Sequence, residues 1–388
     1  MPASLEANQM SRTLAQMRRD GVPVLDLTES NPTRAGFDYD ADLLAPLGEP
    51  RGLAYRPEPL GALDARLAVS DDFSRRGLAV GVERIALTAS TSEAYSLLFK
   101  LLCDAGDEVL IPQPSYPLFE HLTRLDGVTA VPYRLEYHGR WSVDLASVEH
   151  ALTPRTRAIL IVNPNNPTGN FVSAGDLDAL AQLCGSRDIA VISDEVFADY
   201  ELQAESRVPR GQLTHRTDVL GFTLGGLSKS IGLPQVKLGW IAVSGDDARC
   251  AETMPRLELV CDTYLSVATP VQLAARELLM RGARVREQIQ HRVRANLATC
   301  ASLVRGVPAC GLLHAEGGWY GVIQVPSLAP EEDLVLSLLV DAQVLVHPGY
   351  FFDFAKESFL IASLLTPEEA FATAVSRVLD RFRMDDHS

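Results

Sequence analysis

The sequence lacks the basic surface that nucleic-acid binding requires. Its 50 acidic and 35 basic side chains give a formal net charge of -15 at pH 7. Because phosphate backbones are bound by clustered lysine and arginine, we expect no nucleic acid among its partners. A local basic pocket for a small anion remains compatible with this charge.

Segments typical of membrane and exported proteins are also missing. No stretch approaches the roughly 20 consecutive apolar residues of a membrane span, and the first thirty residues contain no signal-peptide core. With 47% hydrophobic and 22% charged residues, the composition is that of a globular protein. We therefore expect a cytoplasmic protein without a membrane partner.

Disulfide and metal patterns are absent as well. The six cysteines include no C-x-x-C pair, and the eight histidines show no H-E-x-x-H spacing. We expect reduced cysteines, mostly buried, and no metal site. No internal repeat is visible along the chain.

What the chain does contain is a series of short apolar runs separated by segments of helix length. The runs lie at 85–87, 109–111, 158–162, 190–192, 219–224 and 238–243. This alternation predicts an α/β fold: a three-layer arrangement of a mostly parallel sheet with helices on both faces. Residues 46–270 form this large domain in our interpretation. Residues 271–388 are predicted as a smaller α+β domain that opens with one long helix over 271–303, and residues 1–45 as an N-terminal arm that joins it.

Polar clusters follow four of the predicted strands, at 88–93, 163–169, 193–195 and 225–232. Ligands of parallel sheets bind beyond the carboxyl ends of the strands. In the last cluster, Lys229 stands between two serines. A desolvated lysine amine has a lowered pKa and forms Schiff bases with carbonyl groups. Taken alone, Lys229 is better interpreted as a surface-loop residue, and the other clusters reverse that interpretation.

The other clusters supply complementary chemistry. Small hydroxyl residues at a helix start favour an anion such as phosphate, although they also make ordinary helix caps; they are Ser90, Thr91 and Ser92. Asp194 ends an apolar strand, so its carboxylate needs a cationic or hydrogen-bonding partner. Tyr116 is either a ring-stacking residue or a core tyrosine. A Schiff-base lysine, an anion site, an acid and an aromatic ring together match the needs of pyridoxal phosphate.

Three motifs then occur in a specific order: Asn-Pro-Asn-Asn-Pro-Thr-Gly at 163–169, Ser-Asp-Glu at 193–195, and Ser228-Lys229. With these motifs the chain resembles the class I/II aminotransferases, which are fold-type I pyridoxal-phosphate enzymes. The resemblance extends from about Val24 to Leu364. The resemblance implies a large domain like that of aspartate aminotransferase. It also implies transfer of an amino group from an amino acid to a 2-oxo acid.

The resemblance further implies residue roles. Lys229 corresponds to the lysine that holds the cofactor as a Schiff base and moves the proton, Asp194 to the acid that keeps the pyridine nitrogen protonated, and Tyr116 to the aromatic residue over the ring. Asn166 corresponds to the asparagine at ring O3′, which also lies near the substrate. The residues implied at the cofactor phosphate are Ser90, Thr91, Ser92, Ser228, Lys237 and, from the neighbouring subunit of a homodimer, Tyr55.

Three positions depart from the family pattern around the cofactor. Lys237 stands where an arginine is usual, which keeps the charge but loses a bidentate contact to phosphate. Gly226 replaces a serine and removes another donor, so we expect weaker cofactor binding. Phe197 replaces a tyrosine that bonds O3′, and our hypothesis is that its absence raises the pKa of the Schiff base.

A fourth departure concerns the substrate. Relatives hold the substrate α-carboxylate with an arginine in a short strand, but the corresponding stretch at 358–363 contains none, and Ile361 occupies the place. Asn31, Arg34 and Lys356 are candidate replacements, although a surface-loop position is the favoured interpretation of Arg34. A pyridoxal-phosphate lyase, decarboxylase or cyclising synthase would share every cofactor residue, and fold alone does not choose between these reactions.

A non-catalytic ligand-sensing domain is the remaining alternative, from a different functional class. Regulators that use this fold carry a DNA-binding module, and we expect none before Val24. The acidic charge and the retention of Lys229, Asp194 and Asn166 favour an enzyme. We therefore predict an aminotransferase.

Overall fold

A computed structural model of the protein describes residues 8–203 and 208–383. Its strands are β1 (Leu25–Asp26), β2 (Ile85–Thr88), β3 (Glu108–Gln113), β4 (Thr129–Tyr137), β5 (Trp141–Val143), β6 (Thr156–Val162), β7 (Ala190–Asp194), β8 (Gly221–Gly226), β9 (Gly239–Ser244), β10 (Gly311–Leu312), β11 (Tyr320–Gln324), β12 (Val344–Leu345), β13 (His347–Pro348) and β14 (Phe359–Ser363). Its α-helices are α1 (Gln9–Arg19), α2 (Leu63–Arg75), α3 (Thr91–Leu102), α4 (Phe119–Leu125), α5 (Leu145–Ala151), α6 (Ala174–Gly185), α7 (Leu227–Ser230), α8 (Asp247–Tyr264), α9 (Thr269–Arg281), α10 (Ala283–Arg305), α11 (Glu331–Asp341) and α12 (Glu368–Asp380).

The largest element is an eight-stranded sheet in the spatial order β2-β9-β8-β7-β6-β3-β4-β5. Its centre, from β8 to β4, is parallel, and antiparallel strands flank it on both sides. The central strands read as continuous apolar runs because both faces are covered; all five residues of β7 are buried. The predicted α/β class with a mostly parallel sheet is confirmed.

A second sheet has four antiparallel strands in the order β10-β11-β14-β13. Gly321 of β11 faces α10, because a Cβ at this position would lie within 4.0 Å of the Leu297 side chain. Side chains alternate along a strand, so Tyr320 and Val322 face the other way. Strand β1 pairs with β12 in parallel and thereby ties the N-terminal segment to the C-terminal part of the chain.

The prediction of one long helix over 271–303 is wrong. The chain forms two helices, α9 and α10, with Gly282 between them. A Cβ at Gly282 would lie 2.6 Å from the Ile231 side chain, so the close approach of Ile231 requires a glycine there. Helix α8 and strands β4 and β5 had not been predicted.

Neither a membrane-spanning helix nor a metal-binding cluster is found in the part of the chain that the structure describes. Within 8–203 and 208–383, no helix is long and apolar enough to cross a membrane. The same ranges contain no group of three or more histidine, cysteine or acidic side chains arranged to hold a metal ion. All six cysteines are free thiols.

Candidate active site

Three polar side chains meet where adjacent parallel strands end. Asp194 is the last residue of β7, Lys229 lies in α7 directly after β8, and Asn166 lies in the loop after β6. Strands β6, β7 and β8 are neighbours, so their carboxyl ends share one edge of the sheet. All three residues line one cavity of about 160 Å³.

Asp194 is buried, with 7% of its surface exposed. The Tyr95 hydroxyl donates to its Oδ2 at 2.6 Å, and the Val196 amide donates to Oδ1 at 3.1 Å. Burial raises the pKa of Asp194, while these hydrogen bonds and the charge of Lys229 oppose the rise. A desolvated carboxyl group of this kind is ionised most readily when a cation lies against it.

The amine of Lys229 is also desolvated. Burial lowers its pKa to about 8, and the Asp194 charge acts in the opposite direction. Its Nζ lies 4.9 Å from the centre of the Trp319 ring and 5.7 Å from that of Phe197. The Tyr200 hydroxyl donates to the Lys229 carbonyl oxygen at 2.5 Å and fixes the backbone that carries the amine. A substantial fraction of this amine is therefore neutral and nucleophilic in mildly alkaline solution.

The loop that carries Asn166 is held by its neighbour Asn165. The Asn165 Nδ2 donates to the Pro114 carbonyl at 3.0 Å and to Thr168 Oγ1 at 2.7 Å, and Ser115 Oγ donates to Asn165 Oδ1 at 2.9 Å. These bonds fix the loop of Tyr116 against the loop of Asn166. The Oδ1 of Asn166 is buried and accepts no hydrogen bond. Such an orphaned acceptor is costly, and a donor on a bound ligand would satisfy it.

The start of helix α3 forms the polar end of the cavity. Thr91, Ser92 and Ser228 line it. Ser90 does not line the cavity; its Oγ accepts from the Glu93 amide at 3.1 Å, which is the ordinary helix-cap role. The helix dipole and the hydroxyl groups together favour an anion at this end.

Several predicted site residues lie outside the cavity lining. Tyr55 is 66% exposed. Lys237 is exposed and has a φ of +61°. Arg34 and Lys356 are exposed, and the Asn31 side chain accepts hydrogen bonds from the Thr33 amide and hydroxyl. The structure therefore does not bring these five residues together with Lys229, and their roles stay predictions.

Residues that the sequence had not indicated also contribute to the site. Tyr95 lies four residues after Thr91 on α3, so the helical spacing was the available signal. Trp319 packs edge-on against both Phe197 and Tyr200, with ring centres 5.1 Å apart in each pair, and so covers Lys229. Tyr320 lines the cavity too, as does Ser30 from the polar loop that carries the predicted Asn31 and Arg34. For Trp319 and Tyr320 the sequence indicated only a strand.

Comparisons with known proteins agree on one kind of enzyme. A family model described as aminotransferase class I and II matches residues 40–378. The alanine aminotransferase of Mycobacterium tuberculosis is 27% identical, with 94% of this chain and 86% of that protein covered. The glutamate-pyruvate aminotransferase of Escherichia coli is also 27% identical, with 90% and 88% covered.

Solved structures show the same fold. The alanine aminotransferase of Pyrococcus furiosus superimposes with a TM-score of 0.84 at 23% identity, covering 97% of this chain and 99% of that one. An aspartate aminotransferase double mutant from Thermus thermophilus gives 0.82 at 24% identity, with 97% of each chain covered.

Proposed function

The chain belongs to the class I and II aminotransferase family and is an aminotransferase, and we propose that Lys229 is the residue through which it binds pyridoxal phosphate and transfers amino groups. The observation that carries the proposal is that Lys229, Asp194 and Asn166 line one cavity at the ends of three adjacent strands. The names of the relatives favour amino transfer over a lyase, decarboxylase or synthase reaction.

The side chains at the cavity match the parts of pyridoxal phosphate. When bound, this cofactor supplies a carbonyl group that joins to amines and a protonated pyridine ring that accepts electrons. Asp194 would hold the proton on the pyridine nitrogen, and that cation would in turn favour the ionised form of the carboxyl group. In this assignment the amide nitrogen of Asn166 would donate a hydrogen bond to ring O3′. Tyr116, which lines the cavity, would lie over the ring.

The phosphate would lie at the start of α3. Thr91, Ser92 and Ser228 line that end of the cavity, and the positive end of the helix dipole favours the charge. Lys237 adds a cation from its exposed position in the loop before β9. Ser90 contributes by capping the helix.

Lys229 would act twice. With a pKa of about 8, its amine is neutral often enough to attack a carbonyl carbon near neutral pH. When it is not bonded to the cofactor, the same Nζ would take the proton from the substrate α-carbon, hold it and later give it back within the site. Trp319 and Phe197 lie against this amine, and their rings would limit the access of water to it during proton transfer.

The reaction uses an amino acid as donor and a 2-oxo acid as acceptor. The relatives are named for alanine, for glutamate with pyruvate, and for aspartate with prephenate. Alanine, glutamate and aspartate are therefore the first donors to test.

The functional unit is a homodimer in this proposal, with Tyr55 reaching the phosphate of the neighbouring site. Tyr55 is 66% exposed and lies outside the cavity of its own chain. Close by in sequence, Leu53 is 93% exposed. Leu265 is also exposed, and the next residue, Ser266, hydrogen-bonds through its hydroxyl to the backbone of Glu58. This exposed apolar surface is of the kind that a partner subunit covers.

The visible spectrum of the reconstituted protein tests the chemistry. We expect an absorption band from the lysine-bound cofactor that an amino acid alone converts to the pyridoxamine form and that a 2-oxo acid restores. Lys229→Ala should bind the cofactor without the band. Conversion accompanied by release of ammonia or carbon dioxide would contradict amino transfer, and a band unchanged in Lys229→Ala would contradict the lysine assignment.

A mixed dimer tests the Tyr55 role. Tyr55→Ala and Lys229→Ala subunits, each weakly active or inactive alone, are dissociated and reassociated in equal amounts. If Tyr55 serves the neighbouring site, half of the dimers carry one complete site, so about a quarter of the wild-type activity returns. No recovery, or a monomer in sedimentation, contradicts this part of the proposal.

A further inference from the structure

We propose that the hydroxyl groups of Tyr320 and Ser30 hold the α-carboxylate of the substrate in place of the arginine that this family uses. The inference rests on the proposed function, because it needs an amino acid bound beside Lys229. It specifies a neutral hydrogen-bonding subsite where relatives have a cation.

The position of the missing arginine is filled by a hydrocarbon. Ile361 lies in β14, fully buried, between Val322 of β11 and His347 of β13. Among the described residues that line the cavity there is no arginine, and Lys229 is the single cationic side chain. Since Lys229 is committed to the cofactor, the substrate carboxylate needs other donors.

Tyr320 projects from the face of the sheet that carries Ile361. In the β11–β14 register, Tyr320 pairs with Ser363 and Val322 pairs with Ile361. Residues two apart on a strand, and residues paired across strands, share a face. The opposite face, at Gly321, is turned to α10. Tyr320 therefore points to the same side as an arginine at 361 would, and it lines the cavity with Lys229.

Ser30 meets Tyr320 from the N-terminal segment. Ser30 lines the same cavity as Tyr320. Two bonds fix the preceding residue: Ser363 Oγ donates to the Glu29 carbonyl at 2.6 Å, and the Asn31 amide donates to Glu29 Oε1 at 2.8 Å. The segment that carries Ser30 is thus tied to Ser363, the strand partner of Tyr320, before a substrate arrives.

Both groups remain donors at physiological pH. Tyr320 is 8% exposed, and its burial, together with Tyr116 and Glu29, raises its pKa to about 12 while Ser30 opposes the rise. Hydroxyl groups that donate to a carboxylate form short, charge-assisted hydrogen bonds. A neutral pair lacks the long-range attraction of a guanidinium group, so we expect specificity from contact geometry rather than from steering.

The test compares Tyr320→Phe holoenzyme with wild type on two matched substrates. One is the amino acid that converts the cofactor fastest, and the other is the amine that lacks its carboxylate; for alanine this is ethylamine. We expect the second-order rate constant of cofactor conversion to fall about 10- to 100-fold for the amino acid and to stay within about twofold for the amine. Ser30→Ala should give a smaller loss of the same kind.

Tyr350→Phe is the matched control, because Tyr350 is 42% exposed and does not line the cavity; it should behave as wild type. Equal losses for the amino acid and the amine, or no loss for either in Tyr320→Phe, would overturn the inference. If none of the amino acids tested converts the cofactor of the wild-type protein, the proposed function fails before the variant is made. The two failures are therefore distinguishable.

Discussion

The Tyr95 hydroxyl donates a hydrogen bond to Asp194 Oδ2 over 2.6 Å, and both side chains are buried. This bond joins helix α3, whose first turn lines the cavity where we propose the cofactor phosphate binds, to the strand end that carries the acid. In the proposed site it fixes the two ends of the cofactor relative to each other. It also lowers the pKa of Asp194, which burial raises.

Tyr95→Phe should therefore leave Asp194 with a higher pKa. We expect the pH at which half of the visible cofactor band is lost on acidification to rise, and the free energy of unfolding to fall by about 1–3 kcal/mol. Tyr133→Phe is the control, because the buried Tyr133 hydroxyl donates to the Leu160 carbonyl at 2.9 Å, away from the acid. That variant should lose stability without the pH shift; a shift of equal size in both variants would contradict the account.

Sequence patterns predicted the sheet and the main groups of the cavity because both depend on local signals. Apolar runs mark buried strands, and Asp194 and Lys229 directly follow such runs. The break at Gly282 was not predictable, because the amphipathic pattern continues from α9 into α10 and the deciding contact comes from Ile231, far away in sequence. The position of Trp319 was not predictable for the same reason, because its contact with Lys229 joins residues that are far apart in sequence.

Lys229 should carry a measurable cost in stability. Its folded-state pKa of about 8 lies below the ordinary value of 10.5, so between these values the unfolded chain binds more protons and wild-type stability rises with pH. The free energy of unfolding of the Lys229→Met apoprotein should exceed that of the wild-type apoprotein by about 3 kcal/mol at pH 7. The difference should shrink toward pH 10.5. Urea denaturation at both pH values measures it, and a pH-independent difference would show that the amine is not desolvated.

Lys237→Arg should tighten cofactor binding. An arginine restores the bidentate contact to phosphate, worth about tenfold in the dissociation constant, and Lys237→Gln should weaken binding by a similar factor. Fluorescence titration of the apoprotein with pyridoxal phosphate provides both values. The lysine is exposed, so identical constants for all three proteins would mean that it does not contact the phosphate.

Phe197→Tyr should lower the midpoint of the pH titration of the visible band by on the order of one unit, because the added hydroxyl stabilises a negatively charged ring oxygen. Phe197 packs against Trp319 with ring centres 5.1 Å apart, so retention of the Trp319 environment should be checked by fluorescence. An unchanged midpoint in a correctly folded variant would refute the hypothesis.

The most direct test of the central claim is the site of covalent cofactor attachment. The chain has four lysines, at 100, 229, 237 and 356, so borohydride reduction of the reconstituted protein followed by peptide mass spectrometry gives an unambiguous answer. The account predicts one phosphopyridoxyl group per chain, on Lys229, and no such group when the protein is incubated with the amino donor alone before reduction. Label on Lys237 or another exposed lysine, with Lys229 unmodified, would contradict it.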